Sequence, residues 1–287
     1  MFGVKLCFRF AKIVKLCYFF YMKLKKYAIC SNNKIPNSIQ VKNLLEEILR
    51  KQQLDVEILD IDDLKSGADF AFVIGGDGTI LKAARFFAKF GTPIFGINLG
   101  RLGFLSQSQG ENIEKSLGLI LEGKFHVEER IMLQSGENLA LNDFVIKGNA
   151  LGRTARLSLK INGKAVCDYL ADGLIISTPT GSTAYGLSAG GPVLSPNLGA
   201  FIVVPICPHT LTARPLVIPD NEVVSVSVND CERGFVVSTD GQNFYECDSD
   251  IEIKKSIFTA KLALLEEGDF YSVLRDKLHW GLSPAKI

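Results

Sequence analysis

The chain has 287 residues, 47% of them hydrophobic, so it can form one large or two ordinary domains with a substantial core. Its 32 basic and 31 acidic residues give a net charge of +1, which provides no general attraction to nucleic acid or to an anionic membrane. Seven scattered cysteines without a CxxC pair and three dispersed histidines argue against a disulfide framework and a zinc or His-rich metal site, and they suit a reducing cytoplasm.

The first 21 residues, MFGVKLCFRFAKIVKLCYFFY, mix basic and apolar residues at roughly helical spacing. They fit a basic amphipathic anchor, a poor signal peptide or an unstructured start. Arg9, Lys12 and Lys15 interrupt the apolar run, and no Ala-x-Ala-like cleavage site follows. We expect the folded chain to begin near Met22, and no membrane association, since no other stretch reaches the ~20 apolar residues of a span.

The next hundred residues alternate between strand and helix patterns. Apolar runs predict strands at KKYAIC, VEIL, DFAFVIG and PIFGINL, while helical spacing marks the segments around Leu44–Leu49 and Thr79–Phe90. Strands that alternate with helices favour a doubly wound parallel sheet, and the uniformly apolar FAFVI fits a central strand covered on both faces.

After about residue 125 the pattern changes to short strands separated by Gly, Pro, Asn and Asp. ARLSLKINGKAVCDYL alternates polar and apolar residues around Asn162-Gly163, a strong hairpin signal. DGLIIST, FIVVPIC, EVVSVSV, GFVVSTDG and DIEIKKS add strands typical of a β-sandwich-like domain. The sequence thus predicts an α/β fold in which the parallel-sheet domain is joined to this β-rich one.

The domain boundaries follow from these patterns. We place the α/β domain at 22–124, rejoined by the tail 262–287, and the β-rich domain at 125–261. No Ser/Gly-rich linker separates them, so we expect a tight junction of the kind where ligand sites often lie.

The stretch FVIGGDGTILKAAR places a carboxylate among glycines where a strand meets a helix. A GxGxxG fingerprint is absent after the first strand, and the Walker-like GLILEGKF ends in Phe within a helical stretch. In the context of Gly75–Thr79, backbone N–H groups can face an anion, the glycines let phosphate approach, and Thr79 is a candidate helix cap. Asp77 would repel that phosphate unless it meets a hydroxyl or a magnesium-bound water, as in phosphoryl transfer to an alcohol.

Five ordered motifs resemble those of NAD kinases, over roughly residues 25 to 280. They are GGDGT, GINLGRLGFL, LNDFVI, DGLIISTPTGSTAYGLSAGGPVLSP and PICPHTLTARPLVIP. GGDGT also occurs in diacylglycerol and sphingosine kinases, whereas the long TPTGSTAY stretch is far more specific.

The resemblance implies transfer of the γ-phosphoryl of ATP, or of polyphosphate, to the 2′-hydroxyl of the adenosine ribose of NAD. It implies a divalent metal ion, with Mg²⁺ expected, and a homodimer or homotetramer. Asp77 would be the general base or hydroxyl-orienting residue. Gly76, Gly78 and Thr79 would approach the phosphates, and Lys82 is either a further phosphate contact or a solvated helix lysine.

The resemblance also implies a set of dinucleotide-binding residues. These are Phe104, Asn142, Asp143, Arg153, Asp172, Thr183, Ala184, Tyr185, Gly186, Leu187, Ser188, His209 and Gln242. Asp143 stands where relatives more often have Glu, and Gly186 where they often have Ser. An adenine contact or a core role for Phe104, a phosphate contact or an exposed loop position for Arg153, and a ligand contact or a satisfied loop histidine for His209 all stay open.

Two other functions fit part of this pattern. A lipid or small-alcohol kinase would share GGDGT but would leave TPTGSTAY unexplained. A non-catalytic dinucleotide sensor would have no need of Asp77.

Overall fold

The computed structural model describes residues 24–280 except 33, 36, 101–102, 149–153, 230–233 and 266–269. The 21-residue N-terminal segment, for which an anchor, a signal peptide or an unstructured start was considered, lies outside the described residues.

Strands dominate the described chain. They are β1 Lys26–Ser31, β2 Asp55–Asp60, β3 Phe70–Ile74, β4 Ile94–Asn98, β5 Ser108–Gln109, β6 His126–Ser135, β7 Asn138–Ala140, β8 Asp143–Gly148, β9 Ala155–Ile161, β10 Lys164–Ala171, β11 Gly173–Ser177, β12 Ala200–Ile206, β13 Leu216–Pro219, β14 Val224–Asn229, β15 Phe235–Thr239, β16 Asn243–Cys247 and β17 Ile251–Leu264. The α-helices are α1 Ser38–Lys51, α2 Asp77–Phe87, α3 Ile113–Leu121, α4 Tyr185–Ser188 and α5 Phe270–Leu278. Within the described ranges, no helix has the length and apolar character needed to cross a membrane.

The chain divides into two compact units. One contains the residues up to 129 and those from 261 onward, and the other contains residues 130–260. The domain boundaries inferred from sequence, at 124/125 and 261/262, stay a prediction of where independently folding domains begin and end.

The first unit is built on a parallel sheet with the strand order β2-β1-β3-β4. Every residue of β3 is buried, because α1 and α3 pack against the face that carries Phe70, Phe72 and Phe95, while α2 packs on the opposite face. On that opposite face, the lack of a side chain at Gly96 makes room for Ile80 of α2. This arrangement confirms the doubly wound parallel sheet, and it brings the loops after β1, β2, β3 and β4 to the carboxyl edge of the sheet.

The second unit contains a six-stranded antiparallel sheet with the order β13-β12-β11-β8-β15-β16. Its inner face shares a core with β9, β14 and the first half of β17, and Phe144, Ile176, Val226 and Ile253 lie in that core. The β9–β10 hairpin turns at Asn162 and Gly163, with φ values of 50° and 75°, as the Asn-Gly pair predicts. The predicted β-sandwich-like architecture is confirmed.

The outer face of the six-stranded sheet is also apolar. Val145, Ile175 and Val204 form a small cluster there, and the segment that follows β11 covers it through Ala189 and Leu194. Gly191 permits this close cover, because a Cβ at that position would lie 2.8 Å from the carbonyl oxygen of Gly186. The covering segment includes the predicted dinucleotide-binding stretch.

Candidate active site

The glycine loop after β3 leads into α2 with two glycines that differ in their surroundings. A Cβ on Gly75 would lie 2.6 Å from the Cβ of Thr79, and the backbone there has φ 155°. A Cβ on Gly76, the residue that precedes α2, would meet open space. The packing of the unit therefore requires glycine at position 75, whereas at position 76 glycine leaves the helix N-terminus open to an anion. Thr79 does not cap α2 with its hydroxyl as predicted, and its side chain packs over Gly75 instead.

The Asp77 carboxylate is held by the loop that follows β4. Its Oδ2 accepts a hydrogen bond of 2.8 Å from the backbone N–H of Phe104, and its Oδ1 accepts one of 3.2 Å from that of Leu105. Gly103 is buried beside it, and a Cβ there would lie 2.6 Å from Oδ2. These contacts fix the orientation of the carboxylate while leaving lone pairs on both oxygens for further donors.

Lys82 lies one turn after Gly78 on α2 and is part of a chain of three charges. Its Nζ is 2.7 Å from Oδ1 of Asp62, and the Nζ of Lys34 is 2.8 Å from Oδ2 of the same carboxylate. Hydrogen bonds from Lys34 and Lys82 lower the pKa of Asp62 to about 2. The two lysines follow different strands, so the sheet edge gathers two cations around one carboxylate.

In the first unit, the fold gathers the residues predicted to handle phosphate at a single edge. Gly76, Asp77, Gly78, Thr79 and Lys82 follow β3, and the half-buried Phe104 follows β4 and donates its N–H to Asp77. The local geometry therefore supports an anion site with an oriented carboxylate.

In the second unit, Asn142 lies where three strand ends converge. The N–H of Thr178, just after β11, donates to the Asn142 carbonyl over 2.9 Å, and the hydroxyl of Thr178 donates to the carbonyl of Leu141 over 2.5 Å. Gly181 then passes so close that a Cβ there would lie 2.6 Å from the Asn142 Cα. The backbone at Asn142 is thus fixed by the first residues of the TPTGSTAY stretch.

Asp143 is a buried carboxyl group next to a second one. Its side chain is on the outer face of the sheet, and the residue is only 3% exposed. Burial, and next the negative charge of Asp240, raise the pKa of Asp143 to about 7. This carboxyl group therefore titrates near neutral pH.

The remaining predicted residues of TPTGSTAYGLS form a short 3₁₀ helix and α4. The predicted members are Thr183, Ala184, Tyr185, Gly186, Leu187 and Ser188. Tyr185 is 39% exposed as a whole residue, and its hydroxyl lies 3.1 Å from Nζ of Lys147. A Cβ on Gly186 would lie 3.9 Å from Ser177, which is an ordinary contact. The ring therefore has an accessible surface for a planar ligand.

Asp172 and His209 lie at the other end of the β11–β12 ladder. Asp143 is paired with Ser177, whereas Lys147 is paired with Gly173, four residues along the strands. At 3.3–3.4 Å per residue, these ends are about 13 Å apart. Asp172 directly precedes Gly173, and the N–H of the exposed His209 donates to the carbonyl of Leu170 over 2.8 Å. The predicted residues therefore follow an elongated strip rather than a compact cluster.

Gln242 and Arg153 are the two remaining predicted site residues. Gln242 is in the turn between β15 and β16, where its N–H donates to the carbonyl of Thr239 over 3.0 Å. Arg153 lies outside the described residues.

Both parts of the chain match known families. The ATP-NAD kinase N-terminal domain matches residues 11–125, and the ATP-NAD kinase C-terminal domain matches residues 141–265. The NAD kinase of Thermoanaerobacter sp. (strain X514) is 43% identical over 227 residues, which are 75% of this chain and 80% of that protein. This chain belongs to the NAD kinase family.

Solved structures agree with this membership of the NAD kinase family. An NAD kinase from Archaeoglobus fulgidus, solved in complex with ATP, is 29% identical, with a TM-score of 0.75 over 88% of this chain and 98% of that one. Yeast NADH kinase, solved with NADH, is 23% identical with a TM-score of 0.78 over 91% and 89%, and at this identity the likeness shows the fold alone. As a family member the chain is a phosphotransferase.

Several residues around the NAD kinase motifs were missed in the sequence. Gly103 occurs within GRLGFL, and Asp240 within STDGQ, but nothing in either motif shows that one borders Asp77 or that the other borders Asp143. Lys34 and Asp62 belong to loops without any recognisable motif. A pattern read along the chain does not identify partners that follow different strands.

Proposed function

We propose that this chain makes NADP by transferring the γ-phosphoryl group of ATP to the 2′-hydroxyl of the adenosine ribose of NAD, with polyphosphate as the alternative donor. The observation that carries the proposal is the Asp77 carboxylate, which two backbone N–H groups orient at the open N-terminus of α2. In this reaction the oxygen of the ribose 2′-hydroxyl bonds to the γ-phosphorus while Asp77 accepts the proton of that hydroxyl. The bond between the γ-phosphorus and the oxygen that bridges it to the β-phosphate breaks, which releases ADP.

The phosphate groups of the donor are assigned to the glycine loop. Gly76 leaves space at the beginning of α2, where N–H groups and the helix dipole favour an anion, and Gly78 and Thr79 are within the same turn. We assign Lys82 to the same phosphates. Its ion pair with Asp62 is half-exposed, so a more highly charged phosphate can compete for the ammonium group.

NAD is assigned to the second unit and Phe104. Asn142 and Asp143 accept or donate hydrogen bonds at the ribose, and the exposed ring of Tyr185 stacks on a base. The rest of the assigned set is Arg153, Asp172, Thr183, Ala184, Gly186, Leu187, Ser188, His209 and Gln242. The support is the separation of about 13 Å along the strands between Asp143 and the end at which Asp172 and His209 lie, which suits a dinucleotide better than a compact substrate.

A divalent metal ion, with Mg²⁺ expected, fits the residues present as a companion of ATP. Mg²⁺ is usually held by one or two carboxylates together with substrate phosphates and water. The described residues contain no group of three or more His, Cys, Asp and Glu suited to a metal, whereas Asp77 offers one oriented carboxylate next to the anion site. Asp77 would hold the hydrated ion, which supplies neutralisation of phosphate charge.

The test is a direct assay of the purified protein with NAD, ATP and MgCl₂. We expect NADP, detected by an NADP-specific dehydrogenase, and no signal when the phosphoryl donor is omitted. Polyphosphate is then substituted for ATP. Absence of NADP with either donor, under conditions where NAD binds, would indicate a dinucleotide sensor and refute the proposal.

We also propose a homodimer or homotetramer in the cytoplasm. Both edge strands of the six-stranded sheet carry exposed apolar side chains, Val217 on β13 and Phe244 on β16, and such edges favour pairing with another chain. Light scattering at micromolar concentration measures the mass directly, and a monomer would contradict the proposal. The free thiols of Cys30, Cys167, Cys207 and Cys247 suit a reducing compartment.

A further inference from the structure

The Asp240 carboxylate holds the backbone around Asn142 and Asp143. Its Oδ1 accepts hydrogen bonds from the N–H groups of Asn142 and Asp143, at 2.7 and 3.1 Å, and its Oδ2 accepts one from Leu141 at 3.2 Å. The N–H of Asp240 in turn donates to the carbonyl of Asp143 over 2.9 Å. Three successive N–H groups thus point at one side chain, so its position sets the conformation of the turn.

The position of Asp240 is energetically unfavourable for a carboxylate, which argues for a specific role. It is 8% exposed, its φ is 51°, and it precedes Gly241 in a three-residue turn. Left-handed backbone is uncommon outside glycine, although Asp tolerates it better than most residues. A buried carboxylate is also next to a second carboxyl group, that of Asp143.

We propose that Asp240 is a positioning residue for NAD. It orients Asn142 and Asp143 through their backbone N–H groups, and its own negative charge influences the charge of the Asp143 carboxyl group. This inference rests on the proposed role of Asn142 and Asp143 in NAD binding. Asp240 acts on the ligand through these two neighbours.

The charge effect is specific because of what faces Asp143. Its strand partner on β11 is the uncharged Ser177, and on the β15 side the next residue along is Asp240 itself. Among charged groups, Asp240 is the one that raises the pKa of Asp143, in addition to burial. Since a carboxylate accepts hydrogen bonds from ribose hydroxyls better than a neutral carboxyl group, NAD affinity should rise with pH through about 7.

Two variants separate the two effects. Asp240→Asn keeps an acceptor for the N–H groups of Asn142 and Asp143 but removes the charge. Asp240→Glu keeps the charge but displaces it by one methylene. Asp250→Asn is the matched control, because Asp250 is an exposed carboxylate of the same unit, just before β17.

The readouts are the Kd for NAD by calorimetry, without ATP, from pH 5.5 to 8.5, and kcat from NADP formation. The acid limb of NAD binding is the pH range over which the affinity weakens toward low pH. For Asp240→Asn we expect this limb to shift to lower pH by about half a unit or more, because a like charge next to Asp143 is removed. For Asp240→Glu we expect an unmoved limb, a Kd about tenfold weaker and a kcat within about threefold of wild type, because the three charge-assisted hydrogen bonds from Leu141, Asn142 and Asp143 are displaced.

Asp240→Asn tests the charge effect and Asp240→Glu tests the effect of position. If one variant fails to fold, the other still tests the inference. An unmoved limb in Asp240→Asn, or an unchanged Kd in Asp240→Glu, would overturn the inference. In an Asp143→Asn background, Asp240→Asn should no longer shift the limb, and a persisting shift would equally contradict it. Wild type and Asp250→Asn must form NADP in parallel, so a failure of the proposed function is seen separately.

Discussion

Asp77 combines two properties that oppose each other in water, a negative charge and closeness to the proposed anion site. The N–H groups of Phe104 and Leu105 resolve this conflict, because they supply partial positive charge to the carboxylate from the loop after β4 and not from α2. The carboxylate is then oriented before any substrate arrives, which is the condition for general-base catalysis by a single residue.

The first prediction concerns the charge of Asp77. In Asp77→Asn the amide keeps the size of the side chain but cannot take up the proton of the hydroxyl, so kcat should fall by about 10² or more. The Kd for NAD, measured by calorimetry, should stay within a few-fold of wild type. A variant that turned over like wild type would show that Asp77 is not the base.

The second prediction concerns the pH dependence of stability. Asp143 has its pKa raised to about 7 by burial and by Asp240, whereas in the unfolded chain it titrates near ~4. Between these values the folded state holds the extra proton, so the Asp143 contribution to the free energy of unfolding falls as pH rises from about 4 to about 7. The slope approaches roughly 1.4 kcal/mol per pH unit in the middle of this window.

Urea unfolding of wild type and Asp143→Asn at pH 5.5 and 7.5 measures this contribution, since the other titrating groups cancel in the difference. The difference in unfolding free energy between the two proteins should change by about 1–2 kcal/mol between these pH values, with wild type losing stability toward pH 7.5. Equal differences at both pH values would show that the pKa of Asp143 is not raised.

At the residue scale, the sequence could propose ligand-binding residues but could not identify the residues that hold them in place. Asp77 and Tyr185 are within long recognisable motifs, so the resemblance proposes a role for each. Gly103 and Asp240 act on residues 26 and 97 positions away respectively, through contacts that exist only once the strands have paired. Lys82 was open between two roles because its partner Asp62 follows another strand.

At the scale of elements, each unit uses a glycine to let a loop approach one of the proposed site residues. Gly103 brings the loop after β4 against Asp77, and Gly181 brings the segment after β11 against Asn142. Neither glycine has a positive φ among the described backbone angles, so the demand is for space and not for an unusual conformation.

The third prediction tests the close approach at Gly103. In Gly103→Ala the new methyl group would overlap the Asp77 carboxylate and displace it from the two N–H groups, so kcat should fall about tenfold or more. Gly118→Ala is the control, because a Cβ within α3 there meets open space and Ala favours helix by up to ~1 kcal/mol. Normal kcat in Gly103→Ala would contradict the role given to this loop.

The fourth prediction compares two glycines of the proposed NAD-binding stretch. Gly181→Ala forces the backbone of Asn142 to move, because the methyl group would lie 2.5 Å from its carbonyl carbon, and the KM for NAD should rise about tenfold. Gly186→Ser should be tolerated, since the nearest contacts are at 3.9 Å. A KM for NAD that rises equally in both variants would show that backbone approach is not the cause.

Sequence patterns predict strands and turns correctly where the side chains are buried on one face or on both faces. FAFVI was predicted as a central strand because every residue is apolar, and all five are buried. The Asn162-Gly163 hairpin was predicted from turn chemistry alone and is confirmed. The pairing of β17 with both β14 and β4 could not be predicted, because it depends on strands that are far apart in sequence.

At the scale of the whole molecule, β17 contributes to both units. Its first residues pair with β14, and after Ala260 it continues into the first unit, where Leu262 lies opposite Ile94 of β4. Leu262, Ala263 and Leu264 are all buried, so the parallel sheet is completed by a segment close to the end of the chain.

The fifth prediction is that truncation within β17 abolishes folding whereas truncation after it does not. A chain ending at Ala260 loses the burial of two leucines and an alanine, about 1.5–3 kcal/mol for each leucine, and it exposes the edge of β4. Of the described structure, a chain ending at Leu265 loses α5 and the two residues after it, and Leu274 is the buried residue of α5, so its Tm should fall by a few degrees. Equal soluble yields and equal Tm values for the two chains would contradict this.

The position of β17 also determines how the protein can be made. Ile94 leaves the ribosome about 170 residues before its partner Leu262, and at 5–20 residues per second this gap lasts on the order of ten to thirty seconds. During that interval the part of β4 around Ile94 lacks its partner strand on one side, and an unpaired hydrophobic edge of this kind is a surface that other nascent chains can join. The second unit is complete in sequence first, so the order of synthesis makes the N-terminal unit the last to finish folding and the one most dependent on chaperones.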